Sequence, residues 1–438
     1  MTPSPESSPP RRGRGKGEGE RTGGWQLVLF ALWLAWVSNF MVRSALSPSL
    51  VGIRADFGLS YAGGGLLATG FLAGYCAMLL PGGLLGDRVG RRTMVILSSS
   101  GWTIASFSIG LAPSYPVLLL LMVGLGLTMG CFNGNDRAIV STVTPREKMG
   151  LGQGLSYTGL GIGNGLGVML AGALAAAWGW RSSFLVFAGL SLLALTAICR
   201  FIPKIPRGRA VRFGQVARQV LGNRDLWLLY FGGIPSVAVA WLLITWAPTI
   251  LLDTTRLDLA TASLLVSAVG FAAVPALVGV GAVSDALARR GLGRKSIAAG
   301  GHLLLAAALV LLGWSVEAGG GAIVIAGLML LVSFCQWSPW APAYALIADI
   351  VAPPAMGMAF GLGATVWALG ATTAPWLAGT VRDLTGSFTA VFYALAALAL
   401  AGAVLTAAIR PAFRIGPEPR MDDRPPSPSP LPLRGGED

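Results

Sequence analysis

The sequence predicts an all-α protein that crosses a lipid bilayer twelve times. Only 12% of its 438 residues are charged while 54% are hydrophobic, against about 25% charged in a soluble domain. The charges are clumped, and between the clumps lie uncharged runs of the roughly 20 residues that a helix needs to span the hydrocarbon core. These runs also lack the strict alternation of barrel strands, and lipid satisfies no backbone groups, so helices are the remaining choice.

Apolar runs between charged or Pro/Gly-rich breaks place the spans at 25–51, 60–84, 93–112, 116–143, 150–177, 183–202, 226–251, 261–287, 296–314, 321–349, 357–380 and 388–409. The chain then divides into a tail over 1–24, a six-helix bundle over 25–202, a basic linker over 203–225, a second six-helix bundle over 226–410 and a tail over 411–438. Both tails have the Pro- and Gly-rich, polar composition of disordered segments. The first lacks the apolar core of a signal peptide.

The net charge of +13 would suggest nucleic acid if the basic residues formed one face. Instead they sit in the tails and between spans. Of 32 Lys and Arg residues, 26 fall on the side of the termini, four (Arg54, Arg181, Arg256, Arg382) on the other, and two (Arg43, Arg137) within spans. The positive-inside rule therefore places both termini in the cytoplasm, with a bacterial inner membrane as the expected location and no nucleic-acid partner. Cys76, Cys131, Cys199 and Cys335 are scattered through apolar spans, the pattern of packing residues rather than of a metal or redox pair.

An internal repeat supports the two-bundle organisation. Asp87, in the loop after span two, recurs 198 residues later as Asp285 after span eight; Met149-Gly150 recurs as Met356-Gly357 and Ala171-Gly172 as Ala378-Gly379, both 207 residues on. Near-constant offsets indicate a duplicated six-span unit. An even span count makes the two copies parallel, with a substrate site between them near the midplane.

Gly82-Gly83-Leu84-Leu85-Gly86-Asp87-Arg88-Val89-Gly90-Arg91-Arg92 resembles the hallmark loop of the major facilitator superfamily, G-x-L-x-D-R-x-G-R-R, in its expected place. Gly179-Trp180-Arg181-Ser182-Ser183-Phe184 resembles the family's turn between spans five and six. The resemblance covers nearly the whole chain from Trp25 to Arg410 and implies a secondary transporter working by alternating access. It also implies coupling or gating roles for Asp87, Arg88, Arg91 and Asp285, with each Asp facing a helix N-terminus of the other half, a charge–dipole contact of about 0.3–1 kcal/mol. Plain topology-setting charge is the alternative for these residues.

Charges inside spans cost about 2.5–3.5 kcal/mol on insertion scales and need a reason. Arg43 lies in span one with Asn39 one turn earlier. The segment from Ser38 to Ser60 resembles span one of the superfamily's anion:cation symporter branch, which implies that Arg43 binds a substrate carboxylate or phosphate. A permanently charged, bidentate guanidinium suits an oxyanion; snorkelling is the structural alternative. Asn133, Asp136 and Arg137 in span four have one-face spacing. Asp136 is the acid deep in a span and so the default proton carrier, unless it and Arg137 form an ion-pair gate. Met122 and Met129 stand where many relatives have an Arg and an acid, which leaves facilitated diffusion or exchange open. Asn164, Gln336 and Trp337 are further substrate-binding candidates near span centres. Trp241, Trp246, Tyr344, Thr372 and Thr373 could line the same space, with Trp246 also suited to the aromatic belt. Gly159, Gly163 and Gly167 make a helix-packing face, and His302 reads as structural.

Nucleotide-binding, metal-binding and nucleophile motifs are missing, so neither an enzyme nor a cofactor is expected. The reading is a monomeric, gradient-driven carrier of a small organic anion together with a coupling ion. Proton-driven drug or metabolite efflux and a receptor that has lost transport are the alternatives.

Overall fold

The computed structural model describes residues 24–410 apart from 146–147, 204–217, most of 273–292 and 352–355. Before the linker come α1 (Gly24–Phe57), α2 (Tyr61–Val89), α3 (Arg91–Gly110), α4 (Tyr115–Phe132), α5 (Asn135–Val143), α6 (Met149–Trp178) and α7 (Trp180–Phe201). After it come α8 (Arg224–Thr254), α9 (Leu259–Phe271), α10 (Arg294–Glu317), α11 (Ala322–Trp337), α12 (Trp340–Ile350), α13 (Met356–Thr385) and α14 (Thr389–Ala407). Each of the twelve predicted runs overlaps at least one of these helices. Among the described residues nine helical segments are long and apolar enough to cross a membrane. The others are α3, which is rich in Ser and Thr, α9, described over 13 residues, and α13.

Two predicted spans are not continuous. The run 116–143 breaks between α4 and α5, where Gly134 has φ +88°, a conformation that costs a Cβ-bearing residue energy. The run 321–349 breaks between α11 and α12 at Ser338-Pro339. Pro339 lacks the N–H that a continuing helix would use. The two breaks lie 205 residues apart, close to the offset of the sequence repeat.

Large apolar side chains face outward around the molecule, among them Ile323 at 81% and Leu120 at 71% exposure. A soluble protein carries charge there; lipid tails accept this surface. Prolines inside helices (Pro48, Pro81, Pro235, Pro248, Pro375) fit the same setting, since neighbouring helices re-satisfy the freed carbonyls.

Small residues set the helix approach. Gly159, Gly163 and Gly167 on α6 lie against the α1 backbone at Trp33, Val37 and Met41, four residues apart on both helices. Gly126 and Gly130 on α4 lie against the carbonyls of Phe71 and Tyr75 on α2. Basic groups close helix ends: Arg92 donates to the Ile202 and Cys199 carbonyls at 2.6 and 3.0 Å, and Lys295 to the Ile409 carbonyl at 2.9 Å. Cations at helix C-termini meet unpaired carbonyls and the favourable end of the dipole. These contacts lie at the end of the bundle that holds the start of α1 and the end of α14, called here the terminal end.

Candidate functional site

Arg43 lies on α1 with its guanidinium ringed by aromatic side chains. The ring centroids are at 3.8 Å for Trp241, 4.7 Å for Phe40, 5.4 Å for Tyr75 and 5.5 Å for Phe71. Its Nε is buried and, among the described residues, has no hydrogen-bond partner; no carboxylate among them pairs with the guanidinium. Trp241 comes from α8, beyond the linker, so helices from both sides of the linker build the cage. Asn39, one turn before Arg43, is buried at 4% exposure. Ring faces attract a cation by about 0.5–2 kcal/mol each, depending on desolvation, but they supply no counter-charge.

The second charged cluster lies closer to the terminal end, at the level of Trp36, about two helix turns before Arg43 on α1. Asp136 is fully buried in the first turn of α5. Its Oδ2 accepts from Trp36 Nε1 at 2.7 Å and from Arg137 Nε at 2.8 Å, while Arg137 Nη2 also donates to Ser156 on α6 at 2.8 Å. Oδ1 of Asp136 is buried with no partner among the described residues. The break at Gly134 changes the predicted geometry: Asn133 ends α4 rather than sharing a helical face with Asp136 and Arg137. It turns instead to Tyr75, donating to the hydroxyl at 2.9 Å. Trp36 packs on Phe40 at 5.7 Å, so one line of contacts runs from Asp136 through Trp36 and Phe40 to Arg43.

The remaining candidates are dispersed. Asn164 is buried, and its side-chain carbonyl accepts from Ser44 at 2.5 Å. Gln336 is buried at the end of α11 with a partner of its own, and Trp337 packs on Trp340 at 5.9 Å. Both sit at the helix break, not in the Arg43 cage. Thr372 accepts from Thr69 through its carbonyl at 2.7 Å, and Thr373 donates back to the Leu369 carbonyl. Tyr344 stands against Trp340, Phe360 and Trp367. His302 is buried among the helices after the linker with Nδ1 2.9 Å from the Ala298 carbonyl.

Two further tryptophans, Trp246 and Trp180, are buried. Trp246 is fully covered and donates to the Pro375 carbonyl at 2.9 Å; Trp180 is 3% exposed and donates to Asp56 at 2.8 Å. Each has an internal acceptor, which removes the need for water at its N–H.

At the end away from the termini the helices before and after the linker are tied together. Tyr61 begins α2, and its hydroxyl donates to Asp253 at 2.8 Å. Its ring lies between Arg54 at 3.4 Å and Arg382 at 4.7 Å and packs on Trp246 and Phe388. Asp383 accepts from the backbone N–H groups of Tyr61 and Ala62 at 2.9 and 2.8 Å, capping a helix on the other side of the linker. Gly65 and Gly379 let the α2 and α13 backbones touch, at Pro375 and Tyr61 respectively. None of this is visible in sequence, because Asp253 and Asp383 lie more than 190 positions from Tyr61.

At the terminal end, Asp87 is on α2 but its side chain lies outside the described residues, as does all of Asp285. Arg88 is exposed and Arg91 half-buried with a partner of its own.

A sequence model described as the Major Facilitator Superfamily matches residues 32–336. The hexuronate transporter of Bacillus subtilis (strain 168) is 23% identical over 390 residues, covering 85% of this chain and 92% of that one. A probable sulfoacetate transporter of Cupriavidus necator is 25% identical over 417 residues, covering 89% and 94%. In the solved structures, a bacterial homolog of the human lysosomal transporter Spinster, in an inward-facing and unoccupied conformation, superposes with a TM-score of 0.73 at 18% identity over 89% of this chain and 96% of that one. That likeness is one of fold.

Proposed function

Because the chain belongs to the Major Facilitator Superfamily, and so is a multi-pass membrane transporter of twelve-helix fold rather than an enzyme, we propose that it carries a small organic anion across a bacterial inner membrane, with Arg43 as the anion's anchor. One observation carries the reading. A permanently charged guanidinium stands inside the bundle with a buried Nε that has no hydrogen-bond partner, and with no paired carboxylate, among the described residues. An uncompensated cation at that depth is costly, and an anionic substrate removes the cost each time it binds. The relatives named for hexuronate and sulfoacetate support an anionic class.

The two bundles, over 25–202 and 226–410, rock about this site. The Tyr61 cluster closes the end away from the termini, and the hallmark residues Asp87, Arg88, Arg91 and Asp285 close the terminal, cytoplasmic end in the alternate state. Asp136 with Arg137 couples transport to a proton gradient: protonation of Asp136 releases Arg137 and loosens the hold on Trp36, which leans on Phe40 beside Arg43. Asn39 assists the anion. Asn164, Gln336 and Trp337 act around the centre, one in the α1–α6 seam and two at the α11–α12 break. The protein works as a monomer.

The test is thermal stability of purified protein against carboxylates, sulfonates and phosphate esters, with sugars and lipophilic cations for comparison. A ligand at 100 times its Kd stabilises the folded state by about 2.7 kcal/mol. An anion should raise the melting temperature of wild type and leave Arg43→Gln unmoved. Stabilisation by cations or neutral compounds alone, unaffected by Arg43→Gln, would refute the reading.

A further inference from the structure

Resting on the anion reading, we infer that the substrate is a monocarboxylate with a flat, apolar body, an aromatic acid in chemical class, and that Trp241 selects it. Three observations converge at the Arg43 cage.

The first is charge. Within the described membrane-spanning helices the two cations deep in the bundle are Arg43 and Arg137, and Arg137 is already neutralised by Asp136. A single uncompensated positive charge matches a single carboxylate. A second carboxylate would be buried without a partner.

The second is shape. A bidentate carboxylate lies in the plane of the guanidinium that binds it. In an aromatic acid the ring continues that plane, so the surfaces covering the guanidinium extend naturally over the ring. Here Trp241 covers the guanidinium at 3.8 Å, with Phe40 at 4.7 Å. Phe71 lies 6.2 Å from Trp241 and 6.2 Å from Tyr75, nearly parallel to the latter at 24°. A chain of hydroxyl-bearing tetrahedral carbons leaves the plane at the substituents of its first carbon and forfeits that stacking.

The third is hydrogen bonding. The cage faces the guanidinium with ring carbons, and several polar groups around it are already engaged: the Tyr75 hydroxyl accepts from Asn133, the Asn164 side-chain carbonyl from Ser44 and the Thr372 backbone carbonyl from Thr69, while Gln336 has its own partner. Each hydroxyl of a polyhydroxylated body that meets a ring face there gives up its water without a replacement partner, which disfavours that body.

Binding of benzoate, glucuronate and glucarate to purified wild type, Arg43→Gln, Trp241→Leu and Trp241→Phe tests this, by calorimetry or tryptophan quenching. Benzoate should bind wild type about tenfold tighter than either sugar acid, the ratio expected from one well-formed aromatic stacking contact. Trp241→Leu should erase that preference and Trp241→Phe should keep most of it. The wild-type comparison decides the matter even if Trp241→Leu does not fold. Arg43-dependent binding in which glucuronate or glucarate is the tighter ligand overturns this inference and leaves the anion reading standing. If no carboxylate binds in an Arg43-dependent way, both fall.

Discussion

Trp241 lies over the guanidinium of Arg43 at 3.8 Å, and the two residues are 198 positions apart. Trp241 is on α8, beyond the linker, so α1 and α8 meet here with a cation on one helix and a π surface on the other, at a place where both sides of the linker close on one side chain.

The first prediction follows from the cost of the buried charge. In the absence of an anion, Arg43→Gln should melt at a higher temperature than wild type, by an amount equivalent to about 1–3 kcal/mol. Lost cation–π contacts oppose this, but without a counter-charge they do not cover the desolvation of a whole guanidinium. Differential scanning fluorimetry of both proteins in a chloride-poor buffer decides it. A mutant that melts lower, with no ligand present, would mean that the cage alone satisfies the arginine.

A second prediction concerns the α1–α6 seam. A Cβ at Gly163 would meet the Val37 carbonyl at 2.5 Å and the Phe40 Cβ at 2.9 Å, while one at Gly124 would meet nothing within 4 Å. Gly163→Val should therefore destabilise the protein by about 1–3 kcal/mol, the usual cost of overpacking. Gly124→Ala should be neutral or stabilise by up to about 1 kcal/mol through the helix backbone. Because Phe40 stands beside Arg43, Gly163→Val should also weaken anion binding. Equal melting temperatures for the two variants would show that the seam is loose.

The twelve apolar runs were legible because lipid imposes a length and a composition on each helix separately. Interruptions within a run were not. Asn133-Gly134 and Ser338-Pro339 carry turn signals, yet both lie in runs apolar enough to read as unbroken. At the site, Arg43 and Asp136 were legible as charges in the wrong solvent. Their surroundings were not: Trp36 is 100 positions from Asp136, and an aromatic residue in a membrane helix looks the same whether it faces lipid or an arginine. Trp246 left two readings open in sequence, cavity lining or interface anchor, and only the packing of α8 on α13, which covers it, decides between them.

A third prediction separates pairing from coupling at Asp136. Asp136→Asn leaves Arg137 largely buried without its carboxylate and should cost about 3 kcal/mol, whereas Asp136→Asn with Arg137→Gln should recover most of it. If Asp136 also carries the proton, both variants should exchange substrate across proteoliposomes yet fail to concentrate it when a pH gradient is imposed. Accumulation driven by the gradient in the double variant would remove Asp136 from the coupling path and leave it a structural ion pair.

The last prediction tests the closure at the end away from the termini. Asp383 holds the N-terminus of α2 through two backbone N–H groups at 2.9 and 2.8 Å, and Asp253 holds the Tyr61 hydroxyl on the same turn. A helix N-cap contributes about 0.5–2 kcal/mol. This contact exists only while α2 and α13 are together, so its whole value acts on the open–closed equilibrium, and its removal should raise the open population by roughly 2- to 30-fold. Cys76 reports on that opening. It is half-buried on α2 with its sulfur 4.0 Å from the Thr372 hydroxyl on α13, below the Tyr61 closure and within the path that opening exposes. In oriented vesicles, an impermeant maleimide added from the far side should label Cys76 faster in Asp383→Ala and in Tyr61→Phe than in wild type. The two changes should be roughly additive only if the cap and the hydroxyl act independently; sharing one turn of α2, they should show less than the summed effect. Asp56→Ala is the control, since Asp56 pairs with Arg181 and Trp180 on its own side of the linker and its loss should leave the labelling rate unchanged. Equal rates in Asp383→Ala and wild type would show that the aromatic packing of Tyr61 on Trp246 and Phe388, not the ionic cap, keeps this end shut.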